Sequence, residues 1–137
     1  MHSLQDNLKA FIGLAPVAQA ASAEVDGSAV DTLGYQSGVL AVQVGATSGI
    51  PDSFTVDVKV QDSADGSTGW GDVSGAAITQ IVAANKVTNI RISDALGVQT
   101  KRYLRAVAAV VFVNGTSPKV GMSAALLLGQ DAYNPTS

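Results

Sequence analysis

Phe54, Val56, Val58 and Val60 alternate with Thr55, Asp57, Lys59 and Gln61. A period of two sends the apolar side chains to one face of an extended strand and the polar ones to the other. A helix would scatter the same residues around its whole circumference. The segment therefore reads as a β-strand with one face on a core and one face open. Asp62 to Gly69 follows, so rich in Asp, Ser and Gly that it reads as a turn, and Trp70 to Val73 begins the return strand of a hairpin.

The remaining chain repeats this grammar of short strands and turns. Ser37 to Val44 is a second strand, with Gly45 to Asp52 as a loop after it. Ala76 to Val82 and Lys86 to Ile92 are weaker strands around Ala83-Ala84-Asn85; Asn89, Arg91 and Ser93 share one face, Ile90 and Ile92 the other. Arg102 to Val113 is a long strand, Asn114 to Pro118 a tight turn with the Asn-Gly hairpin signal, and Lys119 to Leu128 the return. About seven or eight strands without intervening amphipathic helices predict an all-β fold, an antiparallel β-sandwich of jelly-roll or Ig-like type.

The N-terminal stretch reads differently. Leu4, Leu8, Phe11 and Ile12 recur at helical spacing, Ser3 and Asp6 suit a cap, and Gly13 and Pro16 would end the turn. Ala18 to Gly27 suits an extended linker. Ala21-Ser22-Ala23 has the form of a leader cleavage site, but Asp6 beside Lys9 and the interruptions at Pro16 and Gln19 favour an arm. The predicted organisation is an N-terminal arm or short helix (1–27), a β-sandwich domain (28–129) and a polar C-terminal tail (130–137). Loss of residues 1–20 is expected to leave the sandwich folded.

Composition bears on function. The 137 residues suit one domain, and charged residues make up only 14 %, against about 25 % in an ordinary domain. So little charge implies that part of the surface is covered by protein. The net charge of −3 with scattered basic residues argues against nucleic acid and against an anionic membrane surface. There is no cysteine, and the one histidine is His2, so neither thiol chemistry nor an imidazole-activated serine is expected. Asp62-Ser-Ala-Asp-Gly-Ser departs from a calcium loop at Ala64, Gly66 and Val73. No catalytic residue, metal ligand or cofactor site is expected; the chain reads as a non-enzyme that binds other proteins.

The candidate partner-binding residues are Leu8, Phe11, Ile12 and Leu14 on the arm, with Arg102 and Arg105, three apart and so on opposite faces of a strand. Trp70, the sole tryptophan, is either a cover for one end of the sandwich core or an exposed platform for sugar or peptide.

Certain runs carry a family likeness: Asn7-Leu8-Lys9-Ala10-Phe11-Ile12-Gly13-Leu14-Ala15-Pro16, then Val30-Asp31-Thr32-Leu33-Gly34-Tyr35 and Val44-Gly45. Phe54-Thr55-Val56, Gln61-Asp62-Ser63-Ala64-Asp65-Gly66-Ser67 with Trp70 and Asp72-Val73, Lys101-Arg102-Tyr103-Leu104-Arg105 and the closing Leu128-Gly129 complete it. The chain resembles, over nearly its whole length, the small structural proteins of tailed bacteriophages and prophages found close to the major capsid protein. The resemblance implies a virion protein, a head decoration or cement protein. It would sit on the outer capsid as a trimer or dimer, with the major capsid protein as partner. The alternatives are another virion part, such as a head–tail connector, tail or head-fibre subunit, and a carbohydrate-binding module.

Overall fold

A computed structural model describes residues 8–130. Nine strands run through them: β1 (Leu8–Ala20), β2 (Ser22–Asp26), β3 (Val30–Asp31), β4 (Ser37–Ser48), β5 (Ser53–Ser63), β6 (Gly71–Ala77), β7 (Lys86–Ser93), β8 (Tyr103–Val113) and β9 (Lys119–Gly129). They form a four-stranded sheet in the order β1-β9-β4-β7 and a five-stranded sheet in the order β2-β8-β5-β6, with β3 also on β8. All pairings are antiparallel.

The order settles the type of sandwich. β2 and β3 both lie along β8 and act as one interrupted strand. The pairs β1/β9, β2–β3/β8, β4/β7 and β5/β6 are then nested, as in one long hairpin. Pairing of β4 with β9 and of β5 with β8 rolls that hairpin into two layers. This is a jelly roll.

The core lies between the layers. β5 contributes Phe54, Val56, Val58 and Val60, the faces its alternation predicts. Leu40, Val42 and Val44 come from β4, Leu104, Ala106, Ala108 and Val110 from β8, and Val120, Met122, Ala124, Leu126 and Leu128 from β9. The alanines at the centre of β8 and β9 bring the layers close. An added Cβ on Gly13 of β1 would lie 3.2 Å from the Ala106 methyl.

The N-terminal stretch corrects the sequence reading. Residues 8–20 are not an arm or a helix but a strand of the sandwich, and most of the supposed linker is β1 and β2. The residues spaced as in a helix divide between the two faces of the strand: Leu8 and Ile12 stand on the outer face and Phe11 turns inward. Phe11 opposes Leu126 and Leu14 opposes Ala124, so three residues of β1 match two of β9, with a bulge at Gly13. The bulge turns positions 11 and 14 to the same, inner face. The domain boundary at 28 is therefore displaced, and loss of residues 1–20 would strip β9 of a neighbour. Ser3, Leu4 and Asp6, and the tail beyond 130, lie outside the described residues.

Three further expectations change. Asn114 and Gly115 do take the positive φ of a tight hairpin turn (58° and 98°), yet β8 and β9 enter different sheets. The loop crosses the sandwich and rests on the β4–β5 loop, where the Thr116 amide donates to the Gly49 carbonyl. Strand β4 runs on to Ser48 instead of ending at Val44. Ser93 turns inward beside Ile92, because a bulge pairs Gly38 with Ser93 but Val39 with Arg91. The inward hydroxyl of Ser93 is satisfied: it donates to Gln99 Oε1 and accepts from the Ala95 amide.

Candidate functional site

The outer faces of the two sheets differ in kind. On the five-stranded sheet, register brings Asp26 of β2, Arg105 of β8, Gln61 of β5 and Asp72 of β6 into one row. Arg105 Nε and Nη2 donate to Gln61 Oε1 at 3.0 and 2.7 Å. Its Nη1 lies 3.5 Å from Asp26 Oδ2. Gln61 Nε2 donates to Asp72 Oδ1 at 2.9 Å, and Lys59 Nζ meets Asp72 Oδ2 at 3.0 Å. The Arg105 guanidinium lies 4.4 Å from the Trp70 ring centroid. The network links four strands in the order in which the sheet is built.

Its members are partly withdrawn from water. The Arg105 side chain is 16 % exposed and Gln61 is 8 % exposed. Hydrogen bonds from Gln61, and then from Lys59, hold the Asp72 carboxyl below its ordinary range. A carboxylate so held is a weak base near neutral pH. The arrangement can orient and recognise; its acids are occupied with partners. Trp70 is half-buried on this outer face with the Arg105 guanidinium against its ring, so it does not cover the end of the core.

Arg102 lies just outside β8 and binds Asp31 with both prongs, Nε to Oδ1 at 2.9 Å and Nη2 to Oδ2 at 2.8 Å. The Arg102 hydrogen bond, then the Leu33 amide, lower the Asp31 pKa from 3.8 to about 2. In the β5–β6 turn, Asp65 accepts from the Thr68 and Ser67 amides and from the hydroxyls of Thr68 and Ser63, which hold it well below the carboxylate range. This carboxylate organises its own turn. Among the described residues no group of three or more acids or histidines could hold a metal ion.

The outer face of the four-stranded sheet carries no charge along the centre of its two inner strands; Lys119 stands at one end of β9, and Arg91 of the edge strand β7 lies beside Val39. Val39, Ala41, Gln43 and Gly45 of β4 stand beside Leu127, Ala125, Ser123 and Gly121 of β9. β1 adds Leu8 and Ile12, the latter 65 % exposed and opposite Ala125. The centre of the face is built of small, uncharged side chains, with a shallow depression where Gln43, Gly45, Gly121 and Ser123 meet Pro16 and Val17.

The six sequence-selected residues therefore do not converge. Leu8 and Ile12 share the uncharged face. Phe11 turns in against Tyr35, edge to face at 5.8 Å, with the Lys9 ammonium 5.3 Å from its ring. Leu14 is a core residue, 7 % exposed. Arg102 and Arg105 are committed to Asp31 and to the Gln61 network. The uncharged face is what residue-by-residue reading missed; the Gly-Ser-Ala-Leu alternation over Gly121 to Leu127 was its signal.

At the edge where β1 and β2 approach, Gly27 touches the backbone of Gly13: an added Cβ would fall 1.9 Å from the Gly13 carbonyl oxygen. The Gly27 amide donates to the Ala106 carbonyl at 2.7 Å. Beside this staple opens an apolar cleft of about 340 Å³, lined by Ile12, Leu14, Val17, Val25, Ala108 and Met122 with Gln19, Asp26 and Ser28 at its polar parts.

No protein-family model and no curated protein sequence matches the chain. Among solved structures it is similar to the PBSX exported protein XepA, with 20 % identity and a TM-score of 0.56, over 92 % of this chain and 38 % of that one. The chain thus spans well under half the length of XepA, and the likeness is one of fold. The SPBc2 prophage-derived protein YomS aligns at 15 % identity and a TM-score of 0.42, over 88 % of this chain and 93 % of that one. A turnip yellow mosaic virus chain aligns at 11 % identity and a TM-score of 0.38, over 95 % of this chain and 97 % of that one.

Proposed function

We propose that the chain is a virion structural protein of bacteriophage type, a decoration or cement protein that binds the outer surface of the assembled head and braces neighbouring capsomers. The observation that carries this reading is the uncharged, small-residue centre of the outer face of the four-stranded sheet, in a chain with only 14 % charged residues. Such a face loses little on leaving water and packs closely on a flat partner. The family resemblance of the sequence supports a capsid as that partner, and the jelly roll is compatible with it. Mechanistically, a protein that binds the assembled lattice and not free subunits stabilises the shell by mass action, by about 2.7 kcal/mol per site at a hundredfold excess over Kd.

The test is co-sedimentation of the purified protein with empty heads and with dissociated major capsid protein. Binding to heads alone, with a raised shell melting temperature, is expected. Ala41→Arg and Ala125→Glu, both on the uncharged face, should abolish it while the sandwich stays folded. Native binding by both variants would overturn the use of this face. A label found at the portal or tail by electron microscopy would make the chain a connector or tail subunit instead.

A further inference from the structure

Among the described residues, four other than glycine hold a positive φ: Ile50, Asn85, Asn114 and Ser117. All four lie in the β4–β5, β6–β7 and β8–β9 loops, which gather at one end of the sandwich. Asparagine tolerates this region; a β-branched residue does not. Ile50, at φ 52°, is therefore the outlier, and it is also 91 % exposed.

The conformation is imposed from both sides. The Gly49 carbonyl accepts from the Thr116 amide at 2.8 Å, and a Cβ on Gly49 would meet the Thr116 oxygen at 2.4 Å. The Asp52 amide donates to the Val113 carbonyl at 2.8 Å, and Asn114 Nδ2 donates to Asp52 Oδ2 at 2.6 Å. The loop thus holds an aliphatic side chain out in water, on a backbone that would suit Asn or Gly better. Strain kept at an exposed apolar tip is a mark of a contact made elsewhere.

The same chain holds a receptor of matching chemistry. The cleft between β1 and β2 is apolar, and Val17 and Ile12 at its mouth are open to water. Its one charge, Asp26, is turned to Arg105, and the one charge of the tip, Asp52, is capped by Asn114. Insertion of the tip would therefore leave Asp26 with its cation and Asp52 with its hydrogen-bond donor. Ile50 is exposed and so does not occupy the cleft of its own chain; a contact between tip and cleft requires a second copy.

We infer that the Ile50 tip of one copy seats in the β1/β2 cleft of the next. The contact is heterologous: each copy offers one tip and one cleft, so repetition closes a ring or grows an open array. The inference stands apart from the virion reading, since it concerns copies of this chain with each other.

Sedimentation velocity over a concentration series tests it. The native protein should form species larger than a dimer. Ile50→Asn should weaken association by roughly 30-fold or more, the effect of losing a buried anchor. Its thermal midpoint should equal or exceed the native one, because Asn relieves the left-handed backbone. Val17→Asp, or Val17→Asn if the charge impairs folding, should have the same effect from the cleft side. Mixed in equal amounts, the tip variant and the cleft variant retain one intact half each and should give a dimer and nothing larger. A native protein that stays monomeric throughout, a variant that assembles like the native chain, or a mixture without dimer overturns the inference. Head binding lost alongside an intact dimer in the mixture would remove only the virion reading.

Discussion

The two outer faces of this sandwich are built from antiparallel strands of contrasting chemistry. One carries Asp26, Arg105, Gln61, Asp72 and Lys59 in a connected network beside Trp70; the other carries Val39, Ala41, Ala125 and Leu127 along its centre, with Arg91 and Lys119 only at its margins. The first face has found its partners within the chain. The second has none within the chain. Polar side chains on an outer face are thus no mark of a binding surface when their hydrogen bonds are already used, and a bland face is the one left to be covered.

The comparison depends on the two layers being held in place, and Gly27 is where that is most easily broken. A Cβ there would overlap the Gly13 carbonyl and press on that of Ala106. Gly27→Ala should cost about 3 kcal/mol, because two backbones and not a movable side chain must give way. Denaturant melts would check this; an unchanged midpoint would mean that β1 and β2 are not held together there.

The faces should then separate by what a substitution costs. Arg105→Ala leaves Gln61 without its donor and Asp26 without its cation in a partly buried setting, and should destabilise by about 2 kcal/mol. Gln43→Ala on the other face should change stability by no more than about 0.5 kcal/mol. Equal losses from the two would dissolve the distinction. Trp70→Ala should cost less than Arg105→Ala, about 1 kcal/mol, since it removes a stacked cover from the guanidinium but no hydrogen bond. A double-mutant cycle of Trp70 with Arg105 should show coupling, and none with Gln43.

What the sequence revealed follows the range of the forces involved. The alternation of β5 and the Asp-Gly turn after it are local, and both were legible. Leu8, Phe11 and Ile12 misled because apolar residues on both faces of one edge strand fall by chance at helical spacing. Asn114-Gly115 specified its own dihedral angles correctly but not the sheets its neighbours join, since β8 and β9 are recruited by β5 and β4 far back along the chain. Arg105 was visible as an interface candidate; that Gln61, Asp26 and Trp70 would satisfy it internally required the strand order. The same holds for the β1/β2 cleft, whose walls are distant in pairing and become neighbours only when the layers close.

Acid should separate the faces most gently. Asp31 is lowered from 3.8 to about 2 by Arg102, and Asp72 and Asp65 are lowered by their own donors. A carboxyl whose folded pKa lies below its unfolded value contributes stability that is fully present above the unfolded value. That contribution is lost as pH falls through the folded one. Stability should therefore be level near neutrality, begin to decline below about pH 4, and go on declining toward pH 2. All three groups are solvent-accessible, so the decline should be shallow and further blunted by salt. Asp31→Asn should flatten part of it. The face centred on Ala41 and Ala125 has no carboxyl group on β4 or β9, so binding through it should hold constant over the acid range in which the sandwich remains folded. A shell affinity that falls in step with Asp31 protonation, measured above the unfolding pH, would transfer the docking surface to the charged side.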